Sequence, residues 1–184
     1  MKTVQEVINE ADILVPNVLS NAQKVEQLNN ITNEFYNNVK IPNSISFPMP
    51  TNSAIVPAND IKEKDIEVVQ IGFLNYRDNN KAGTFNTGNR FTFDDNSKVL
   101  TVYPRYPKEE QCIIRYYKSK SKIYRTSLIN EEIDAPVEFQ QSFVSALAAW
   151  IALTQDDIAK SSVYESQYRS VWNAASQNYG GAGQ

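Results

Sequence analysis

Chemistry in this chain has to come from a short set of side chains. Among 184 residues there is no histidine and a single cysteine, Cys112. A Ser-His-Asp or Cys-His centre therefore cannot be assembled. A structural zinc site lacks its four ligands, and no disulfide can close within the chain. What remains is carboxylates, one glycine-bearing loop and one basic strip. Asp94-Asp95-Asn96-Ser97 has some of the composition of a calcium loop. Calcium needs about six spaced oxygen ligands and usually a distant bidentate Glu, and no Glu follows at the right distance. Asp, Asn and Ser are turn formers, so a hairpin turn is the expected reading. Glu131-Glu132-Asp134 and Asp156-Asp157 could pair acids as glycosidases do, but they sit where helices should start, and anions favour that end of the helix dipole. Gly83-Thr84-Phe85-Asn86-Thr87-Gly88-Asn89 lacks the Gly-Lys-Ser/Thr ending of a phosphate loop and no helical pattern follows it. It reads as a partner-binding loop. Lys118, Lys120, Lys122 and Arg125, near Tyr116, Tyr117 and Tyr124, interleave cations with aromatics, as single-strand nucleic-acid binders do. The plainer readings are a charged strand edge that discourages stray pairing, or a contact to an acidic partner.

The elements that must carry these residues follow from periodicity. Thr3 and Glu6 have capping-box spacing, and Val4, Val7, Ile8 and Ala11 recur at helical intervals. Pro16 ends that helix. Ser20 caps a second one, with Ala22, Val25, Leu28, Asn29, Thr32, Phe35, Tyr36 and Val39 on one face. Three prolines between Ile41 and Pro50 predict an extended linker. Residues 51–129 read as strands. Glu67–Leu74, Arg90–Asp94, Lys98–Tyr103 and Cys112–Tyr117 carry the pattern, with 95–97 turning a hairpin. Cys112 alternates with Ile114 and reads as a small buried residue. Helix returns near Asp134, with Pro136 tolerated in its first turn. Phe139, Phe143, Ala146, Leu147, Trp150 and Ile151 form an apolar stripe. Thr154 is expected to cap a last helix through Tyr164, Tyr168, Val171, Trp172, Ala175 and Tyr179. The apolar positions on these last helices exceed what a small bundle needs, so some are expected to face a neighbouring subunit.

The fold class expected is α+β: a bundle of N-terminal (1–40) and C-terminal (131–179) helices, a β-rich insertion (41–130) forming a small sheet or sandwich, and a flexible tail (180–184). The net charge of −3 argues against a dedicated DNA-binding module, which shows a basic stripe. No apolar run approaches 18 residues, so no membrane span is expected. The start Met1-Lys2-Thr3-Val4-Gln5-Glu6 has no apolar signal core, so no secretion signal is expected. A single thiol suits a reducing compartment.

The order of elements resembles the head-tail connector (adaptor) proteins of tailed bacteriophages. The likeness runs from Glu6–Asn17, a short helix entering a Pro-Asn turn, through Ser20–Asn29. It continues in the strand pair Phe91–Asp94 and Val99–Pro104, in Asp134–Phe139 before an Ala-rich helix, and in Tyr164–Trp172. The resemblance implies a homo-oligomeric ring, commonly of twelve copies, docked beneath the portal protein in the virion neck after assembly in the host cytoplasm. Such a ring extends the DNA channel and presents a platform to the tail or a stopper protein. It implies no catalytic residues and no cofactor or metal. A net-negative subunit repeated around the channel would let genomic DNA slide without sequence-specific binding. The partner-binding candidates are the tail Tyr179, Gly180, Gly181, Ala182, Gly183 and Gln184, the loop residue Phe85, and Lys118, Lys120 and Lys122. The rival readings are another neck or tail-completion protein, an enzyme using paired acids, and a small nucleic-acid-binding module.

Overall fold

The computed structural model describes residues 1–80 and 88–180. The chain divides into two compact units. One is helical and draws on both ends of the chain, Met1–Lys40 and Lys122–Gln184; the other is Ile41–Ser121.

In the helical unit, α1 (Val4–Leu14) and α2 (Asn21–Asn38) open as the sequence predicts, each with a full capping box: Thr3 with Glu6, and Ser20 with Gln23. The two reciprocal bonds satisfy N–H groups that the first turn otherwise leaves orphaned. The Thr3 backbone and hydroxyl hydrogen bonds hold the Glu6 carboxyl below its ordinary pKa. The buried face of α2 differs from the expected one. Ala22 is exposed, while Ile31 and Lys24 are buried. Lys24 is only 3% exposed, and its ammonium sits 2.8 Å from the carboxylate of Asp12 on α1. Asn17 donates to the same carboxylate at 2.7 Å. A long aliphatic stem lets lysine enter such a site when its charge is met.

The C-terminal half corrects two caps. Asp134 does not start a helix: it lies in a bend before the helical region, and its carboxylate accepts the backbone N–H of Lys122. A single 3-10 turn, Val137–Phe139, leads instead into α3 (Gln140–Thr154). Thr154 ends α3 rather than capping the next helix; its hydroxyl donates back to Ile151 O. Asp157 supplies the cap of α4 (Ile158–Gly180), accepting from Lys160 N–H. Asp156, at φ +59, makes the reversal between them, a conformation that Asp tolerates better than most residues. The single stripe expected on α3 understates it. Ten of its 15 residues are buried, because α1, α2 and α4 all pack on it. The aromatic hub is Phe35, whose ring lies 5.1–5.5 Å from Tyr36, Phe139, Phe143 and Trp172. The Trp172 indole N–H donates to Ser142 Oγ at 2.8 Å, and that hydroxyl donates to Phe139 O. The buried indole N–H and the Ser142 hydroxyl are thereby satisfied.

The expected small sheet or sandwich inserted into a bundle is overturned. The middle of the chain is a seven-stranded mixed sheet, nearly closed like a barrel. Its strands are β1 (Pro42–Met49), β2 (Ser53–Ile55), β3 (Ile66–Ile71), β4 (Leu74–Asp78), β5 (Arg90–Phe93), β6 (Val99–Tyr103) and β7 (Glu110–Tyr117). They run in the order β1-β7-β3-β4-β5-β6-β2. Among the described residues only β4 and β5 pair in parallel. The two edges, β1 and β2, are consecutive in the chain, which brings the ends of the sheet near each other. The proline-rich linker expected at 41–50 is in fact β1. It pairs on one side only, with β7, so prolines lacking an N–H can turn toward the open side. Inward residues alternate with outward ones: Cys112, Ile114 and Tyr116 point in from β7, while Ile113 and Arg115 point out. Fifteen buried residues, among them Phe47, Met49, Phe91, Phe93 and Leu100, form a core belonging to this sheet. Prolines read as strand breakers where the chain has an edge to occupy, and an edge strand tolerates them because one side of it makes no ladder.

The Asp12–Lys24 pair predicts an asymmetric pair of substitutions. Asp12→Ala strands a desolvated ammonium and should cost about 3 kcal/mol. Lys24→Met leaves Asp12 with Asn17 and water and should cost less than about 1 kcal/mol. Trp150 and Trp172, the two tryptophans, both lie in the helical unit. Urea unfolding followed by tryptophan fluorescence therefore reads this difference.

Candidate functional site

The residues singled out for chemistry can now be placed. Asp94 closes the β5–β6 hairpin. Its Oδ1 accepts the N–H groups of Asn96 and Ser97 at 2.7 and 3.1 Å, and these donors hold its pKa below the usual carboxylate range. Asp95 Oδ1 accepts Glu63 N–H at 2.7 Å. Both side chains face backbone donors, the arrangement of a turn. Glu131 and Glu132 belong to the extended segment beside α1: Glu131 O accepts Val4 N–H, and Glu132 bridges Thr3. Among the described residues no three His, Cys, Asp or Glu side chains are grouped to hold a metal ion.

The basic strip is not one surface element. Lys118 follows β7 and gives its backbone N–H to Ile41 O at 2.9 Å. Lys118 and Lys120 fall in the sheet unit and Lys122 in the helical unit. Lys120 is half-buried, and Lys122 and Arg125 are exposed. Phe85 lies outside the described residues, as do Gly181, Ala182, Gly183 and Gln184. Tyr179 is not tail: α4 runs through Gly180, and the Tyr179 ring packs edge-on against Phe139, 6.4 Å between centroids.

The buried polar groups the sequence did not flag are structural. Tyr116 Oη donates to Asp60 Oδ1 at 2.9 Å and accepts from Asn43 Nδ2 at 2.8 Å. Burial first, and then the Asp60 carboxylate, push its hydroxyl pKa up. Ser119 Oγ donates to Asp65 at 2.6 Å, and its N–H to Asp60 O. These bonds tie the end of β7 to the segment entering β3 and to β1. In the helical unit Asn29 clamps the backbone of Tyr124 from both sides, accepting its N–H at 2.9 Å and donating to its carbonyl at 3.0 Å. The Tyr124 hydroxyl accepts from Asp134 N–H at 2.8 Å. Burial raises its pKa to about 12.

Clefts are modest. One of about 160 Å³ lies between α2, α3 and α4, with Ala146 and Ala149 as its floor and Trp150 and Tyr168 as walls. Arg169 spans its rim, 2.7 Å from Glu165 and 3.5 Å from Glu34. Another, of about 370 Å³, lies over the outer face of β1, β7 and β3, beside Asn43, Glu67 and Arg115. Neither brings together a nucleophile, a base and a positioned donor set.

No protein-family model matches the chain, and no curated protein matches it significantly.

Exposed apolar side chains are the more informative feature. Phe73, 98% exposed, sits at the β3–β4 turn beside Gly72. Gly72 takes φ +55 at the first central position of this two-residue loop, where glycine is favoured. In the helical unit, Ile13, Leu14, Val18, Leu153 and Ile158 are all exposed. They come from the end of α1, the turn after it, the end of α3 and the start of α4. The Gln155 side-chain amide joins the two turns, donating to Pro16 O at 2.9 Å. Sequence periodicity missed these residues because Ile13, Leu14, Leu153 and Ile158 lie off their helices' buried faces and Val18 lies in a turn. Their signal was the presence of large apolar residues beside turn formers, where polar ones are expected. No helix among the described residues is long and apolar enough to cross a membrane.

Cys112 offers a test of the sheet interior. It is fully buried, and desolvation pushes its thiol pKa up to about 12. The thiolate is the reactive form. In the native protein at pH 8, Ellman's reagent should label it at least about a hundredfold more slowly than in denaturant. Labelling at the unfolded rate would mean the β7 face is open.

Proposed function

We propose that this chain is a structural subunit of a tailed-phage particle, a head-tail connector that repeats as a ring beneath the portal and receives the tail or next neck component. The observation that carries the reading is the group of five exposed apolar side chains at one end of the helical unit, cross-braced by Gln155 and Pro16. Monomeric proteins seldom leave such a group in water. It adds to the resemblance in element order, which spans both helical segments and the β5–β6 hairpin. The outer face of α4 is in keeping with it. Ala159, Val163, Ser166, Ser170, Ala174 and Gln177 are exposed and uncharged, unlike the charged face of an ordinary surface helix. A net charge of −3 per copy repels the phosphate backbone when it is repeated around a channel, so DNA would pass without being held.

Electron microscopy of the full chain mixed with its portal protein tests this. A ring of density on the portal, carrying this chain in integral copies, is the expected result. A portal that stays bare at saturating chain concentration overturns the reading. A ring found instead at a distal position of the tail assigns the chain to a tail-completion role.

A further inference from the structure

The outer face of β4, β5 and β6 carries two arginines side by side with no acid to meet them. Arg77 on β4 is the register partner of Arg90 on β5, and Arg90 is the partner of Tyr103 on β6. Register partners share a face of the sheet, on strands about 4.8 Å apart. That face is the outer one, because the neighbours in each strand are buried: Tyr76 and Asp78 flank Arg77, Phe91 follows Arg90, and Val102 precedes Tyr103. The row reads guanidinium, guanidinium, phenol ring. Arg77 is exposed, Arg90 is half-buried and Tyr103 is 49% exposed. Beside it the same face continues in hydroxyls, with Thr92, Thr101 and Ser53 in register across β5, β6 and β2.

Like charges directly opposite one another destabilise a strand pair, and this pair is not compensated within the chain. No ion pair among the described residues involves either guanidinium. Arg90 donates from Nη1 to Asn79 Oδ1 at 3.3 Å, while its Nε is closed off from solvent with no acceptor. The neighbouring acids are turned elsewhere. Asp78 is buried on the inner face, as the register partner of Phe91. Asp94 closes the hairpin at the far end of β5. Glu63 reaches Asn80 at 2.9 Å. Residues 81–87 contain a lysine and neither Asp nor Glu. A guanidinium partly withdrawn from water without a counter-charge is costly. One oxyanion shared by both arginines removes that cost and the repulsion together.

The bond to Asn79 also aims the site. Asn79 follows β4, two residues beyond Arg77, and its N–H donates to Phe91 O at 2.9 Å. The Arg90 guanidinium therefore leans toward the β4 chain, where Arg77 stands. Charge then selects the ligand. A phosphate monoester carries about −1.5 to −2 at neutral pH and three acceptor oxygens, which matches two guanidinium groups. A backbone diester carries a single charge, as does a carboxylate. Tyr103, one strand beyond Arg90, presents a ring on which a base can stack.

We infer that the outer face of β4, β5 and β6 binds a nucleoside monophosphate group, free or at the 5′ end of a nucleic-acid strand, with the phosphate between Arg77 and Arg90 and the base on Tyr103. The inference goes beyond the connector reading and stands or falls separately from it.

Fluorescence anisotropy of the full chain with a 3′-fluorescein oligothymidylate tests it, the strand carrying a 5′-phosphate in one arm and a 5′-hydroxyl in the other. The phosphorylated strand should bind at least about tenfold more tightly. Thymidine monophosphate should displace it and thymidine should not. Displacement at a concentration similar to the strand's own marks the free nucleotide as the source, and displacement only far above it marks the end of a strand; both support the site. Arg77→Ala should weaken the phosphorylated strand about tenfold. Arg90→Lys, which keeps the charge and loses the planar fork, should weaken it too. Tyr103→Ala should weaken the strand and the nucleotide about tenfold and leave the inhibition constant of inorganic phosphate unchanged. Slow Ellman labelling of buried Cys112 in each variant checks that the sheet unit is folded. Equal binding of the two strands would mean attraction to the diester backbone and overturns the inference. Binding of a polyglutamate peptide in place of either strand assigns the arginines to an acidic protein and overturns it as well. So does the absence of binding by the wild-type chain at millimolar thymidine monophosphate.

Discussion

The burial of α3 on nearly all sides is the constraint from which the helical unit follows. A helix carrying Phe143, Val144, Ala146, Leu147, Ala148, Ala149, Ile151 and Ala152 keeps only a narrow polar strip, with Gln141 and Ser145, to give to water. It has to be wrapped, and the wrapping helices come from both ends of the chain: α1 and α2 from the start, α4 from the finish. Small residues on α3 let the neighbouring helices approach closely, and the ring of Phe35 fills the space they leave. The chain leaves this unit after Lys40 and rejoins it at Lys122.

The residues between form a unit with its own interior for a complementary reason. Once β1 and β2 are counted, seven strands supply two edges that lie next to each other in sequence, and the sheet curls toward closure. An interior of fifteen buried side chains results, enough to make the region a folding unit and not an appendage. The polar bonds around Tyr116, Asp60, Asp65 and Ser119 fasten the last turn of β7, where the chain is about to leave the sheet. Pro42 and Pro48 on the edge strand β1 leave fewer backbone donors for stray pairing.

Function in this reading comes from surfaces, and the chemistry of the chain is consistent with that emphasis. Several carboxylates have structural partners: Asp94 closes the β5–β6 hairpin, Asp157 caps α4, and Asp12 meets a buried lysine. Among the described residues, large apolar side chains also stand exposed: Ile13, Val18, Ile158, Ile123 and Phe73. Holding such side chains in water on stiff, hydrogen-bonded turns opposes the hydrophobic effect, and burial against a neighbour relieves it.

The sequence by itself determined the local features whose physics acts over a few residues. The Thr3–Glu6 capping box, the Ser20 cap, the stop at Pro16, the Asp94 turn and the inward alternation of Cys112 and Ile114 were legible, because each is set by neighbours within one turn or one strand. Tertiary structure decided what depends on partners far along the chain. Pro42 and Pro48 could be strand residues only because β1 found an edge to occupy. Asp134 lost its place as a cap because Tyr124 and Lys122 took its backbone and carboxylate. Lys24 could be buried only because Asp12, on another helix, met its charge. The joining of the α1 and α3 turns by Gln155 and Pro16, and the hold of Asn29 on Tyr124, were equally invisible, since periodicity carries no information about contacts between elements.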